Sequence, residues 1–160
     1  MRLKDKVCVV TGAGSGFGAG IAKRFTQEGA KIMAADIDAE AAKFSAKPLA
    51  GAKTFKVDVS NNNQVKALTD AVLEAFGRID ILVNNAGIAQ VNQPMLNVDE
   101  ATFDRLFAVN VKSIYLTAKH MVPHIIESQG NIINIASTGA VSPRAGLTWY
   151  NGTKGAVVTL

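Results

Sequence analysis

With one cysteine, Cys8, in 160 residues, the chain has no internal disulfide available to it. The apolar neighbours Val7, Val9 and Val10 mark that thiol as a buried one within a strand. No apolar run approaches the roughly 18 residues that a membrane helix needs. The early run Val7, Cys8, Val9 and Val10 gives way at once to Thr11 and Gly12, too short for the core of a secretory signal. These absences lead us to expect a soluble, cytoplasmic protein with no membrane partner. Charged residues are also sparse, at 19% against 48% hydrophobic, where an average soluble domain has roughly 25% charged. The mean hydropathy is slightly positive, at +0.17. A chain of this kind buries enough apolar surface to offset its ordering entropy, which excludes disorder. Its length suits one domain, residues 1–160, hiding about 70% of the surface its unfolded chain exposes.

Nor is there a basic run. The net charge is +4. Residues 1–60 hold ten Lys and Arg against six Asp and Glu, and residues 61–160 hold seven of each. The excess is scattered singly apart from Lys23–Arg24, with no aromatics interleaved. A nucleic-acid binder needs a stripe of positive charge, and stacking aromatics for single strands. A solvated surface accounts for this pattern, and no nucleic-acid partner is expected.

What is present is an alternation of short apolar runs with longer segments of helical period, the signature of βαβ units and a parallel sheet. Strands are expected at Lys6–Val10, Lys31–Asp36, Thr54–Asp58, Ile79–Asn84 and Asn131–Ala136. A helix over Ser15–Glu28 presents Ile21, Ala22 and Phe25 on one face and closes at Gly29. A second covers Ala39–Ser45. In a third, Val65, Leu68, Val72 and Phe76 share a face that stops at Gly77. A long fourth helix runs from Asp99, with Asn97-x-x-Glu100 resembling a capping pair at its start and Pro123 perturbing its end. A last helix begins near Trp149. The fold class is α/β: a Rossmann-like, doubly wound parallel sheet in three layers, truncated after the fifth strand and the start of the following helix. Leu160 stops inside an apolar helical stretch without a cap, so the sequence reads as the N-terminal portion of a longer protein.

The run Thr11-Gly12-Ala13-Gly14-Ser15-Gly16-Phe17-Gly18 joins the first strand to the first helix. Glycines there allow a tight turn and bring backbone N–H groups to a pyrophosphate at the positive end of a helix. Two registers fit: Gly14, Gly16 and Ala19 as G-x-G-x-x-A, or Thr11, Gly12, Gly16 and Gly18 as T-G-x-x-x-G-x-G. Asp36 closes the second strand twenty residues after Gly16, where an acid accepts hydrogen bonds from the adenosine ribose hydroxyls. The same carboxylate repels a 2′-phosphate, and neither Ser15 nor Ile37 offers a cation to hold one. NAD is therefore expected over NADP. No G-x-x-x-x-G-K-[ST] motif occurs, so a P-loop nucleotidase is excluded.

Tyr150 and Lys154 are four apart, so one helical face presents both. A free tyrosine ionises near pH ~10 and is a poor base at neutrality. A neighbouring ammonium stabilises the phenolate and brings it into range for acid–base work. Ser137 lies just past the fifth strand, at the carboxyl edge where open α/β sheets hold ligands. Taken singly, Tyr-x-x-x-Lys is commonly a helix surface, Ser137 a strand terminator and Asn110 a solvent-facing residue.

Together, Thr11-Gly12-x-x-x-Gly16-x-Gly18, Asp58-Val59, Asn84-Asn85-Ala86-Gly87, Asn110, Ser137 and Tyr150-x-x-x-Lys154 occur in the order found in short-chain dehydrogenases/reductases. The sequence resembles that family from about Lys6 to Leu160. The resemblance implies an oxidoreductase moving a hydride between NAD(H) and a secondary alcohol or ketone. It implies that Tyr150 exchanges a proton with the substrate oxygen, Ser137 steadies that oxygen, and Lys154 assists Tyr150 and contacts the nicotinamide ribose. It implies that Asn110 interrupts its helix and holds a water in a proton relay. It further implies a cofactor site built from Gly12, Ser15, Gly16, Phe17, Gly18, Asp36, Ile37, Asp58, Val59, Asn85, Ala86 and Gly87, with Tyr150 and Lys154. A full-length member self-associates as a dimer or tetramer. Gly152 and Thr153 stand where the family often has Ala and Ser, and Gly152 weakens its helix by about 1 kcal/mol.

Two other readings stay open: a 3-oxoacyl-thioester reductase using NADPH, which Asp36 argues against, and an inactive dinucleotide-binding fragment. His120 and His124 are four apart but lack a third ligand, so no metal is expected. Asn151-Gly152-Thr153 matches a glycosylation acceptor by coincidence, and Trp149 and Met121 read as packing residues.

Overall fold

In a computed structural model describing residues 1–160, five parallel strands form one sheet in the order β3-β2-β1-β4-β5. They are β1 (Val7–Thr11), β2 (Lys31–Asp36), β3 (Lys53–Lys56), β4 (Ile81–Asn84) and β5 (Asn131–Asn134). The helices are α1 (Gly16–Gln27), α2 (Ala39–Ala46), α3 (Asn62–Phe76), α4 (Glu100–Phe107), α5 (Ser113–Glu127) and α6 (Thr148–Thr159). Val9 pairs with Met33 on one side and Leu82 on the other, which makes β1 the central strand.

The period-2 alternation of β1 and β2 sorts the core into two layers. Val7, Val9, Met33 and Ala35 meet Val65, Leu68 and Val72 of α3 and Leu116, Met121 and Ile125 of α5. Cys8, Val10, Ile32 and Ala34 meet Ala22 of α1, Ala46 of α2 and Leu49 on the other face. Burial on both faces explains why these strands read as unbroken apolar runs. No helix is long and apolar enough to cross a membrane.

Beneath β1, Asp80 is 1% exposed and accepts hydrogen bonds from the Val7 N–H (3.0 Å), Lys6 Nζ (3.0 Å) and Arg78 Nη2 (2.7 Å). Burial pushes this carboxyl up. The Val7 N–H and then the Arg78 and Lys6 cations outweigh it and hold Asp80 below the usual carboxylate range. Burial, and then the Asp80 charge, push the Cys8 thiol up to about 12, so it is an inert packing group.

Several element ends differ from the sequence expectation. β3 ends at Lys56 because Asp58 turns the chain, its Oδ1 accepting both the N–H (2.9 Å) and the hydroxyl (2.7 Å) of Ser60. β5 ends at Asn134, opposite the last residue of β4. The cap of α4 is Asp99, not Asn97: its carboxylate accepts the Thr102 N–H at 2.7 Å, and Asn97 closes a preceding 3-10 turn. Pro123 sits inside α5 without ending it. The hydrogen bond it cannot donate would go to the carbonyl of Lys119, an exposed residue, while Ile125 beyond it is buried in the core. The run from Glu100 to Glu127 also contains a π-helical segment, Ala108–Lys112, that apolar periodicity does not signal.

Candidate active site

The carboxyl ends of β1, β2 and β4 open onto a cavity of about 390 Å³. Its lining brings together Gly12, Ser15, Gly16, Phe17, Asp36, Ile37, Asp58, Val59, Asn85, Ala86 and Gly87, eleven residues marked out from the sequence. Val57, Ile88, Arg105 and Val109 complete the wall. The strand order reverses between β1 and β4, and open α/β sheets take their ligands at that point.

The turn that shapes the cavity is clamped from below. Thr11 Oγ1 donates to Val83 O (3.2 Å) and accepts the N–H groups of Asn85 and Ala86 (both 3.1 Å). Asn85 Nδ2 donates to the carbonyls of Thr11 (2.8 Å) and Gly12 (3.1 Å). Asn85 therefore lines the cavity and also locks the β1 turn to β4. Gly12 has φ +64°, and a Cβ there would stand 2.9 Å from Ala86 Cα. Gly18 is absent from the cavity wall. A Cβ on it would collide with the Gly12 carbonyl and stand 2.5 Å from Asn85 Nδ2, so this glycine lets α1 pack against the turn.

The chemistry of the donors suits a dinucleotide. Ser15 precedes α1 without a side-chain capping bond, which leaves first-turn N–H groups free for an anion. Asp36 Oδ2 accepts the Gly14 N–H (2.8 Å) and Oδ1 the Asp38 N–H (3.0 Å), fixing the carboxylate at the wall.

A second group of residues adjoins this cavity through Gly87. A Cβ on Gly87 would stand 3.3 Å from Asn110 Oδ1 and 3.4 Å from Lys154 Nζ. Asn110 is 2% exposed, within the π segment. Its Oδ1 accepts the Ile88 N–H (2.8 Å), and its Nδ2 donates to Ile88 O and to Thr153 Oγ1 (both 2.9 Å). Thr153 in turn donates to Tyr150 O at 2.7 Å. Lys154, 6% exposed, donates to Ile135 O at 2.7 Å, and burial holds its ammonium below the usual lysine range. Ser137 Oγ accepts the Gly139 N–H at 3.1 Å. No hydrogen bond joins the Tyr150 hydroxyl to Ser137 or Lys154.

Gln90 carries no sequence signal of its role. Leu147, which precedes α6, supplies no side-chain cap, and Gln90 Oε1 accepts the Tyr150 N–H at 3.0 Å instead. Gln90 Nε2 donates to Gly146 O at 3.2 Å, so a buried amide 60 residues upstream does the capping. Trp149 packs edge-on against Phe103 (5.3 Å) and donates to Met95 O (3.3 Å). Only the three-dimensional contact reveals such partners. Asn151 and Thr153 of the glycosylation-like triplet are buried. His120 Nε2 lies 3.0 Å from Asn62 Oδ1, while His124 Nδ1 lies 3.7 Å from Glu127, so the two histidines face different partners.

The family model described as short chain dehydrogenase matches residues 6–160. The chain is 43% identical to 4-formylbenzenesulfonate dehydrogenase of Comamonas testosteroni over its whole length, which is 66% of that protein. It is 39% identical to L-fucose dehydrogenase of Oryctolagus cuniculus, covering 99% of this chain and 56% of that one. Its fold superposes on a 3-ketoacyl-(acyl-carrier-protein) reductase of Brucella melitensis complexed with NADH, with a TM-score of 0.96 and 44% identity over 98% of this chain and 67% of that one. NAD+-bound xylitol dehydrogenase gives a TM-score of 0.94 at 31% identity, over 99% and 63% of the two chains. The chain thus spans about two thirds or less of the curated relatives it matches. A cavity at the switch point, a glycine turn at its floor and this agreement from residue 6 onward have one source: the chain belongs to the short-chain dehydrogenase/reductase family.

Proposed function

We propose that residues 1–160 form a dinucleotide-binding domain that holds NAD(H) across the ends of β1, β2 and β4 and acts with Tyr150 on a secondary alcohol or ketone. The observation that carries the reading is the contiguity of the cavity with Lys154 at Gly87, which supports a Tyr150 helix working beside a dinucleotide held in that cavity. First-turn N–H groups at Ser15, Gly16 and Phe17 take the pyrophosphate, and Asp36 accepts the ribose hydroxyls. When bound, the nicotinamide supplies or accepts the hydride. Ser137, whose oxygen already accepts the Gly139 N–H, keeps its own proton to donate to the substrate oxygen. Tyr150 gives its hydroxyl proton to that oxygen in reduction and takes it back in oxidation. Lys154 binds the nicotinamide ribose and supplies positive charge to the phenolate side. Asn110 keeps the Ile88 backbone and Thr153 in place between cavity and helix.

Because Asp36 repels a 2′-phosphate, NAD is preferred to NADP. The full-length protein works as a homo-oligomer on a small-molecule substrate. A second reading, reduction of a 3-oxoacyl thioester, draws support from the 44% identical Brucella melitensis reductase, whose structure was solved with NADH. Calorimetric titration with NADH and NADPH tests the cofactor assignment, with tighter binding of NADH expected; equal affinities take Asp36 out of this role. Tyr150→Phe abolishes turnover of alcohols and ketones while leaving NADH affinity intact. Turnover that survives the change removes Tyr150 from the chemistry, and cofactor binding without any turnover in the parent chain establishes a binding module.

A further inference from the structure

The cavity wall carries two carboxylates, Asp36 and Asp58, and a single cation, Arg105. Both acids are held by the protein, Asp36 by the Gly14 and Asp38 N–H groups and Asp58 by Ser60. Arg105 differs. It is exposed, and its guanidinium makes neither an ion pair nor a hydrogen bond with the protein. Its backbone is nonetheless well fixed. Asp99 caps α4, the neighbouring Leu106 is 1% exposed in the core, and Asn110 is tied to Ile88 and Thr153.

The direction of Arg105 follows from Val109. The two are four apart and share a face of the helix, and Val109 packs against the core cluster that contains Val57 and Val59. Arg105 thus lines the same cavity as Val57, Asp58 and Val59. Once the pyrophosphate takes the start of α1 and a ribose takes Asp36, the lining that remains includes Val57, Val59, Ile88 and Val109, which are apolar, with Asp58 and Arg105 as its charged members. A flat heteroaromatic base with an exocyclic amine suits both: the amine donates to Asp58, and the ring face receives the planar guanidinium.

We propose, on the basis of the dinucleotide reading above, that Arg105 is a cofactor-binding residue that covers the adenine, and is not a partner for a 2′-phosphate. Having no partner in the protein, it is free to fold over the base once the base arrives.

The test measures Kd for NADH, ADP-ribose and NADPH with the parent chain, Arg105→Met and Arg105→Lys. Arg105→Met keeps the apolar stem and its melting curve overlays that of the parent. It is expected to weaken NADH and ADP-ribose alike by about 3- to 30-fold, leaving the NADH to NADPH ratio within about twofold. Arg105→Lys, which keeps the charge and loses the plane, recovers only part of the loss. Unchanged Kd values in Arg105→Met, a loss confined to NADPH, or full recovery with lysine each overturn the proposal. A parent chain that binds NADH while Arg105→Met binds it equally well refutes the Arg105 role alone. A parent chain that binds none of the three refutes the dinucleotide reading, and the Arg105 role with it.

Discussion

Replacing Asn110 with leucine tests whether one carboxamide holds the two halves of the site together. Asn110 is 2% exposed and makes three hydrogen bonds, two with the Ile88 backbone and one with Thr153 Oγ1. Leucine is similar in size, so the change removes hydrogen bonds without leaving a large cavity. Thr153 still donates to Tyr150 O and loses only an accepted bond. The Ile88 N–H and C=O lose their partners, at about 1–3 kcal/mol each when they stay dry. Ile88 is only half-buried, so water relieves part of that, and the lower end applies. A loss of about 2–3 kcal/mol is expected, or roughly 4–12 °C in Tm for a chain of this size. Asn110→Asp is expected to do at least as much harm at neutral pH, because a carboxylate accepts the Ile88 N–H but cannot donate to Ile88 O or Thr153. Urea unfolding followed by circular dichroism reads the midpoint, and hydrogen exchange reads loss of protection at the Ile88 amide. A leucine variant within about 0.5 kcal/mol of the parent, with Ile88 still protected, refutes the reasoning.

Two further outcomes test the floor of the site and the underside of the sheet. Gly18→Ala sets a methyl group against the Gly12 carbonyl and Asn85 Nδ2, neither of which moves without breaking the β1 turn, so it is expected to cost about 1–3 kcal/mol in urea unfolding and to weaken NADH binding; parent-like stability refutes the packing role. For Asp80, whose folded carboxyl lies below its unfolded value of about 3.9, the stabilising contribution is complete above the unfolded value and is lost as pH falls through the folded one. Asp80→Asn should therefore flatten the acid limb of a stability–pH curve, and a limb as steep as the parent's removes Asp80 as its source.

The elements legible in the sequence are those whose signals are local. The run Val7–Val10 is apolar throughout because both its faces are covered, and it reads as a strand for that reason. Val65, Leu68 and Val72 are all buried on one face of α3, which ends where Gly77 takes φ +76°. Asp36 ends β2 as its spacing from the glycine turn requires. The misreadings share another origin. Asn97 and Asp99 both suit a cap, and only the 3-10 turn at Met95–Asn97 decides between them. The break at Asn110, by contrast, agrees with the family resemblance, and its form is a π segment in which Asn110 turns inward to Ile88 and Thr153, partners 22 and 43 residues away that local periodicity does not signal. Gln90 and Arg105 carry no local pattern at all. Each acquires its meaning from elements that approach it only in the folded chain.

That division is sharpest in α6. Its sequence is a poor helix former, with Gly152 and Gly155 in the interior, each costing about 1 kcal/mol relative to alanine, and no side-chain cap at Leu147. What holds it is tertiary. Gln90 bonds the Tyr150 N–H, Trp149 bonds Met95 O, Asn151 Nδ2 bonds Arg144 O, Asn110 bonds Thr153 and Lys154 bonds Ile135 O. At roughly 0.5–1.5 kcal/mol net for each hydrogen bond, these five offset the weakness of the helix. Two of the five partners, Gln90 and Met95, belong to the segment that leaves β4 past Gly87, the same segment whose start lines the cofactor cavity. Its first residues line the cavity and its later ones set the register of Tyr150. The cavity and the Tyr150 helix are thus positioned together by one stretch of chain.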